Sequence, residues 1–501
     1  MVSRKLNVYS KEIDMTTLSF KSLIDQALEL NNMSINKLAT SIGVDRPWLQ
    51  HALVGRRNLG YDNFEKIMSI LNLSEHMNDE LREAFAKEYF GSEDYNVIQN
   101  SIITLNTMSN FENSTTPQNF QTVSEQYHLT AKKREFFYQL CEIVNNEINR
   151  DNPLLYTTYA LDIDCIRTMF LISLRNATTI VDYKHILYAE PNSSEQDIFT
   201  RFLYQCEFAG YGFNTYISRD GLGLSSSSPL PYFLLTHDVV ILFSKDLELY
   251  VIERNPEFVT YMHRFFNTIY ANALPFCSYM RSKEDFALFT SLMPQNECDL
   301  PLYYYDLSSN LCMAGYLDAE ILSDAIPDII EHKDFFIQGI ASFFGLYGQT
   351  PHTAICENDS LLNFVEKDTA ICDYHNVTFD ILSISPKHKY KMLLKLKEAE
   401  EKNIGSHFIL RSGKLQMPSF FHLNAYSYNL VLGFNFKILD ISDGHSYIAA
   451  AVSQNPIVHK HIKNLSEYIV HSPYVYSTSR NYAIARIEDA IAYYKKKHNF
   501  D

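Results

Sequence analysis

The chain has 501 residues, of which 46% are hydrophobic and 14% aromatic. This composition excludes a mainly disordered protein, and the length predicts two or three domains. The formal net charge of −16 is unfavourable for nucleic-acid binding over the whole surface, because such binding neutralises phosphates. Acids and bases balance within residues 19–75, so the excess acid lies in the rest of the chain.

Composition also bears on location and redox state. We find no run of about 18 uncharged apolar residues, as a membrane span requires, and residues 1–17 lack the apolar core of a signal peptide. The eight cysteines form no CxxC pair, so we expect buried thiols and neither a zinc ribbon nor a disulfide framework. These features predict a soluble, cytoplasmic protein that makes no membrane contact.

The first predicted helix spans residues 18–31, where apolar side chains recur at three- and four-residue spacing. Ser34 stands where an N-cap belongs, ahead of a short second helix over 35–42. Gly43 follows it and can adopt the left-handed conformation that closes a helix. Asp45 then has the position of the N-cap of a third helix.

The third predicted helix begins at Arg46, and Pro47 is tolerated there because the first amides of a helix have no intrahelical partner. Its periodicity turns one set of side chains inward, which we expect to be Leu38, Ile42, Val44, Leu49, Ala52 and Leu53. A fourth helix is predicted to carry Phe64, Ile67, Met68 and Leu71, and Ser74 is placed to cap a fifth.

The stretch from Met33 to Ala39, the turn Gly43-Val44-Asp45 and the closing Gly55-Arg56-Arg57 together resemble the Cro/lambda-repressor (XRE) helix-turn-helix family. The resemblance covers residues 19–75 only. It implies an all-α DNA-binding domain at 19–90, preceded by an arm at 1–18. It departs from the family pattern at Ile35, where glutamine is common, and at Leu53-Val54.

The resemblance also implies how the domain would contact double-stranded operator DNA, with the third helix in the major groove. The residues implied to read bases are Asp45, Arg46, Pro47, Gln50 and His51, and those implied to contact phosphates are Ser34, Lys37, Trp48, Arg56, Arg57 and Asn58. A homodimer is expected, because one short helix reads few bases. The alternative is a helical bundle that contacts proteins only.

The rest of the chain is predicted to be a linker and a mixed α/β body. Residues 91–127 are rich in Ser, Thr, Asn and Gln, which is typical of a linker. Beyond them a helix over 132–148 and a β-type run over 239–243 indicate a body containing both helices and strands.

Similar segments recur in the body at an offset near 191 residues. They are Asp182-Tyr183 and Asp373-Tyr374, the segments 217–221 and 409–413, the runs 239–244 and 430–435 with second strands at 248–252 and 437–441, and the helices 194–208 and 386–402. We infer a duplicated α+β module with copies at 128–295 and 296–501, packed about a pseudo-two-fold axis with a cleft between them. Coincidence of short hydrophobic strands is the alternative.

The sequence therefore predicts a transcriptional regulator whose body responds to a small-molecule or peptide effector. The alternatives are a body that binds partner proteins, or an enzyme targeted by its helix-turn-helix. No catalytic residue, metal ligand or cofactor is expected. The glycine-rich segment 220–228 lacks the ending of a phosphate loop, and His459-Lys460-His461 has no third ligand nearby.

Overall fold

A computed structural model gives the fold of part of the chain, the described residues. These are 19–112, 120–159, 163–175, 177, 179, 181–188, 194–208, 213–218, 228–280, 304–325, isolated positions between 328 and 341, 351–366, 384–411, 413–418, 421–427, 430–440, 446–476 and 480–500. The chain divides into two compact units, Met1–Asn96 with His471–Pro473, and Val97–Val470 with Tyr474–Asp501. The predicted arm at 1–18 and the segment 373–374 lie outside the described residues.

The described part of the first unit is helical. Its helices are α1 (Phe20–Leu30), α2 (Ile35–Ile42), α3 (Arg46–Leu53), α4 (Tyr61–Ile70) and α5 (Glu75–Glu112), and α5 continues into the second unit. Gly91, with φ 77° and ψ 163°, is not helical and divides α5 into two helices. The predicted helices of this region are therefore present at nearly the predicted bounds.

The helix ends of the first unit form as their end residues predict. The Ser34 hydroxyl accepts a hydrogen bond from the Lys37 amide at 3.3 Å, and Asp45 Oδ1 accepts one from the Trp48 amide at 2.9 Å. Gly43 has φ 79°, in the left-handed region. These ends fix a tight α2 to α3 turn, whose inner side buries leucines at positions 38, 49 and 53.

An ion cluster closes the first unit where His471 packs against α4. Arg82 donates two hydrogen bonds to the Glu65 carboxylate, at 2.7 and 3.0 Å, and His471 Nδ1 lies 3.0 Å from Glu65 Oε1. The Tyr61 ring stacks on the His471 ring at 3.9 Å. Burial by itself raises the pKa of Glu65, but the hydrogen bonds from His471 and Arg82 outweigh it and lower the pKa to about 2.

We expect Glu65→Gln to destabilise the first unit by about 2 kcal/mol at pH 7. A carboxyl whose folded pKa is lowered contributes stability above its unfolded pKa, and loses it as the pH falls through the folded pKa. The parent should therefore lose stability from about pH 4.5 down to pH 2, and the variant should lose less. Urea unfolding followed by the fluorescence of Trp48, the one tryptophan of the sequence, measures this. Asp62→Asn, at an exposed position of the same helix, is the control, and equal acid sensitivity of the parent and Glu65→Gln would contradict the prediction.

The described part of the second unit contains helices and strands. The helices are α6 (Phe120–Gln126), α7 (Ala131–Ile148), α8 (Asp164–Arg175), α9 (Glu195–Phe208), α10 (Pro256–Asn272), α11 (Ala319–Ala325), α12 (Ser360–Glu366), α13 (Pro386–Glu401), α14 (Pro456–His471) and α15 (Arg480–His498), with a 3-10 helix at Ala314–Tyr316. Among the described helices, none is both long and apolar enough to cross a membrane. Because the first unit is helical and the second contains helices and strands, the chain is a multidomain α/β protein.

Thirteen strands are formed by the described residues of this unit. They are β1 (Leu154–Thr157), β2 (Asp182–Tyr188), β3 (Phe213–Ser218), β4 (Tyr232–Leu235), β5 (Val240–Phe243), β6 (Tyr250–Glu253), β7 (Leu274–Met280), β8 (Tyr304–Ser308), β9 (His352–Glu357), β10 (Gly405–Leu410), β11 (Phe421–Tyr426), β12 (Leu430–Asp440) and β13 (Ser446–Ser453). They join in the order β10-β9-β8-β11-β12-β13-β7-β3-β2-β1-β4-β5-β6.

The strand order repeats within this sheet. β3-β2-β1-β4-β5-β6 in the first half matches β10-β9-β8-β11-β12-β13 in the second half. In each set three neighbouring strands are parallel and the next three are antiparallel. β7 is antiparallel to both β3 and β13. Each strand of the first set therefore runs in the opposite direction to the equivalent strand of the second set. If the crossovers of both sets have the usual right hand, equivalent helices lie on opposite faces of the sheet; the cleft between the copies stays a prediction.

Two further predictions for the body are corrected by the helices and strands. The predicted linker at 91–127 is helical where it is described, because apolar residues at helical spacing, including Val97, Ile98, Ile102 and Leu105, are buried. The predicted strands at 430–435 and 437–441 belong to one strand, β12 (Leu430–Asp440), whose pairing with β13 shifts register between Asn435 and Leu439.

Candidate functional site

The residues that the family resemblance implied for DNA lie together on the first unit. Apart from Trp48, which is partly buried, these positions on and around α2 and α3 are exposed. Three of them have defined hydrogen bonds: Ser34 and Asp45 cap their helices, and Asn58 Oδ1 accepts from the Gly60 amide at 2.8 Å. Their roles toward DNA stay a prediction.

A different concentration of polar side chains lies on one face of β8 to β11. Because side chains alternate between the two faces of a strand, Tyr304, Asp306 and Ser308 of β8 share a face. The strand register adds the residues paired beside them: His352 of β9, Gly405 and His407 of β10, and His422, Asn424 and Tyr426 of β11. We call this set, with Glu400, Cys312 and Tyr316, the polar cluster.

The first element of the polar cluster is a carboxylate–imidazole pair. His422 Nε2 lies 2.7 Å from Asp306 Oδ1, and both side chains are almost completely buried, at 0% and 3% exposure. The Tyr304 hydroxyl donates to Asp306 Oδ2 at 3.1 Å. A buried carboxylate is stable only where polar or cationic groups surround it, so the position of Asp306 is fixed by its neighbours on β8 and β11.

The second element is another pair, formed where α13 leads into β10. His407 Nδ1 lies 2.8 Å from Glu400 Oε2, and both side chains are buried. When a carboxylate holds Nδ1 of an imidazole, Nε2 is left as the atom that exchanges protons with a substrate. The ring of His352, which is only half-buried, meets the His407 ring edge to face at 5.6 Å.

The backbone of Gly405 lies close beside these rings, and a larger residue there would displace the His352 ring. A Cβ at Gly405 would lie 2.7 Å from the His352 ring and 3.3 Å from the His407 ring. The absence of a side chain therefore allows both imidazoles to approach the start of β10.

The hydroxyl of Tyr316 lies near both pairs. Tyr316 is 5% exposed, and its hydroxyl has no hydrogen-bond partner among the described residues. Burial raises the pKa of Tyr316 well above its usual range, and the nearby negative groups Glu400, Cys312 and Asp306 raise it further. In the strand register Ala354, a small buried residue, lies between His407 and Asp306, so the two pairs stand two strands apart on this face.

Donor atoms of three residues converge at the first pair. One ligand atom each from Asp306, Cys312 and His422 lies within 4.8 Å of the other two. The Cys312 thiol is not in a disulfide. This set combines a carboxylate, a sulfur and an imidazole, which are the donor types of zinc sites.

The matching face of the first half differs in chemistry. His185 of β2 is completely buried, and its Nδ1 lies 2.7 Å from the Thr157 hydroxyl. Burial, and then the charge of Arg201, lowers the pKa of His185 to about 3, so this imidazole is neutral at pH 7.

The polar cluster is not predicted from the sequence, because its members are far apart in the chain. A local signal was present: 421–426 and 304–308 alternate polar and apolar side chains, although both strands are buried. Polar side chains on a fully buried strand are uncommon unless they are partnered, and that pattern could have marked β8 and β11.

Solved structures match this chain, whereas family models and curated proteins do not. No family model matches it, and no curated protein matches it. A crystal structure of phosphatidylserine synthase from Haemophilus influenzae Rd KW20 is similar over 74% of this chain and 92% of that chain, with 10% sequence identity and a TM-score of 0.25.

This comparison corrects two predictions made from the sequence: that the chain is a DNA-binding transcriptional regulator, and that it is not an enzyme. The matched structure is that of an enzyme and covers most of this chain. The regulator prediction depended on residues 19–75, whereas the polar cluster lies in the second unit. A TM-score of 0.25 at 10% identity says nothing further of this chain's fold, substrate or reaction.

Proposed function

We propose that the second unit is a hydrolytic enzyme and that the polar cluster is its active site. The observation that carries the proposal is the pair of buried carboxylate–imidazole contacts, Asp306 with His422 at 2.7 Å and Glu400 with His407 at 2.8 Å, on one face of one sheet. Convergent titratable groups in a buried setting are typical of catalytic sites.

In this proposal His407 is the general base. Its Nε2 takes a proton from a water molecule as the water oxygen bonds to the electrophilic centre of an ester. Glu400 holds the imidazole by Nδ1 and stabilises the imidazolium that forms. The same proton then passes to the leaving oxygen as the ester bond breaks, and the hydroxyl of Tyr316 donates a hydrogen bond to the charge that develops.

The test is hydrolysis by the full-length protein of p-nitrophenyl acetate, p-nitrophenyl phosphate and bis(p-nitrophenyl) phosphate. We expect turnover of at least one ester, and we expect His407→Gln to lower kcat by roughly 10²–10⁴-fold, the usual contribution of a positioned acid–base group. Glu400→Gln should also lower kcat, because the imidazole loses its orientation.

His185→Gln is the matched control, since it also replaces a buried histidine of the same unit, and its rate should equal that of the parent. Circular dichroism of each variant verifies that it is folded. Failure of the parent to hydrolyse any of the three esters, or equal rates for the parent and His407→Gln, would overturn the proposal.

For the first unit we propose the helix arrangement of the XRE helix-turn-helix family. The proposal is supported by the serine cap at Ser34, the left-handed Gly43 and the aspartate cap at Asp45, in the order of that motif. For the second unit we propose a duplicated module, supported by the repeated strand order. A homodimer and a small-molecule or peptide effector stay predictions from the sequence.

A further inference from the structure

We infer that Asp306, Cys312 and His422 bind a zinc ion in the second unit. As a statement about catalysis this inference rests on the proposed function, and it supplies the group that activates the attacking water. The binding of the ion is a separate property that can be measured without any substrate.

The spacing of the donor atoms suits one ion. Zinc lies about 2.0–2.3 Å from oxygen, nitrogen and sulfur ligands, so donors around one ion are roughly 3–4 Å apart. The donors of Asp306, Cys312 and His422 lie within 4.8 Å of one another. Small side-chain rotations therefore bring all three donors to bonding distance, with no movement of β8 or β11.

The charge around the site favours a cation. Asp306 is 2% exposed and His422 is 0% exposed, and burying a carboxylate in such a place is costly unless a positive charge compensates it. A second buried carboxylate, Glu400, is close enough to raise the pKa of the Tyr316 hydroxyl, as Asp306 and Cys312 do. A divalent ion offsets these negative groups.

Tyr316 gives an independent indication of a ligand. Its hydroxyl is buried and has no hydrogen-bond partner among the described residues, and unsatisfied buried hydroxyls are uncommon. Three protein ligands leave a fourth position on zinc for water. The Tyr316 hydroxyl is near Asp306 and Cys312 and can bond that water.

The chemistry of the three donor atoms favours zinc over other common metal ions. Calcium and magnesium prefer oxygen ligands alone, whereas a thiolate with an imidazole and a carboxylate suits zinc. A zinc-bound water has its pKa lowered to about 7. His407, two strands from Asp306 on the same face, then accepts its proton.

The experiment is metal binding to the full-length protein after removal of metals with a chelator. We expect one equivalent of Zn²⁺ to bind in a competition titration with a chromogenic chelator. We also expect Co²⁺ to give a tetrahedral d–d spectrum with a thiolate-to-cobalt charge-transfer band. Cys312→Ser should abolish that band and weaken Zn²⁺ binding by at least about 100-fold, because it removes a direct ligand.

Cys356→Ser is the matched control, because Cys356 is a buried thiol on the same face of the sheet as Asp306 but is not one of the three ligands. The cobalt spectrum of this variant should equal that of the parent. An absence of Zn²⁺ and Co²⁺ binding, or an unchanged band in Cys312→Ser, would overturn the metal site. If zinc binds but no ester is hydrolysed, the proposed function fails and the metal site stands. If metal-free protein hydrolyses esters at the full rate, the catalytic part of this inference fails and the proposed function stands.

Discussion

Arg167→Met is expected to destabilise the second unit by about 3–5 kcal/mol, because it leaves the buried carboxylate of Glu207 without its cation. Arg167 and Glu207 are 4% and 5% exposed, and Nε of the guanidinium lies 3.2 Å from the carboxylate. The guanidinium also stacks on Tyr204 at 3.7 Å, and methionine retains most of that apolar packing. The expected loss therefore comes mainly from removing the cation beside the buried Glu207 carboxylate.

Urea unfolding followed by far-ultraviolet circular dichroism measures this effect, and hydrogen exchange of α8 and α9 locates it. Asp164→Asn is the control, since Asp164 pairs with Arg167 at 2.8 Å but is 48% exposed, and exposed pairs contribute about 0–1 kcal/mol. The double variant Arg167→Met/Glu207→Leu should recover most of the loss, because it removes both charges. A loss below about 1 kcal/mol in Arg167→Met would contradict the prediction.

Acid is expected to destabilise the second unit through His185 by about 5 kcal/mol in all. The pKa of this buried imidazole is lowered to about 3, whereas the unfolded chain titrates near 6.5. Between these values the unfolded state binds one more proton than the folded state, so stability falls as the pH falls. The contribution is fully present above about pH 6.5 and is lost toward pH 3.

Urea unfolding at pH 7, 5 and 4 tests this prediction. His185→Gln has no proton to bind at this position, so its stability should depend less steeply on pH than that of the parent. His76→Gln, at a side chain that is 81% exposed, should keep the slope of the parent. Equal slopes for the parent and His185→Gln would show that another group causes the acid sensitivity.

Local patterns predicted the first unit well because its elements are determined by neighbouring residues. Ser34, Gly43 and Asp45 act on amides and carbonyls within four positions of the chain. Such contacts are readable from spacing alone. The prediction of a linker at 91–127 was wrong, because it followed the polar composition and not the apolar residues that recur there at helical spacing.

The repeat in the second unit was only partly readable. The pairing of 217 with 409 and of 239–244 with 430–435 agrees with the positions of β3 and β10 and of β5 and β12. The opposite directions of equivalent strands in the two halves could not be predicted from the sequence, because they depend on the pairing of β7 with both β3 and β13. Hydrophobic alternation within a strand carries no information about its neighbours.

The polar cluster could not be predicted because its geometry arises only when distant strands pair. Asp306 and His422 are brought together by the register of β8 and β11, and Glu400 meets His407 across the turn from α13 to β10. Neither pair has a sequence motif of fixed spacing. The sequence contained the residue types but not their arrangement.

The pairing of β7 with β13, which joins the two halves of the sheet, affects how the chain folds during its synthesis. Ala450 of β13 pairs with Met280 of β7, so this edge closes a loop of about 170 residues, which makes it a slow step of folding. Until the ribosome has made β13, the edge of β7 presents unpaired amides and carbonyls. An open strand edge is a template for pairing with other chains, so the nascent first half is the species most prone to aggregate, and fast synthesis of the second half protects it.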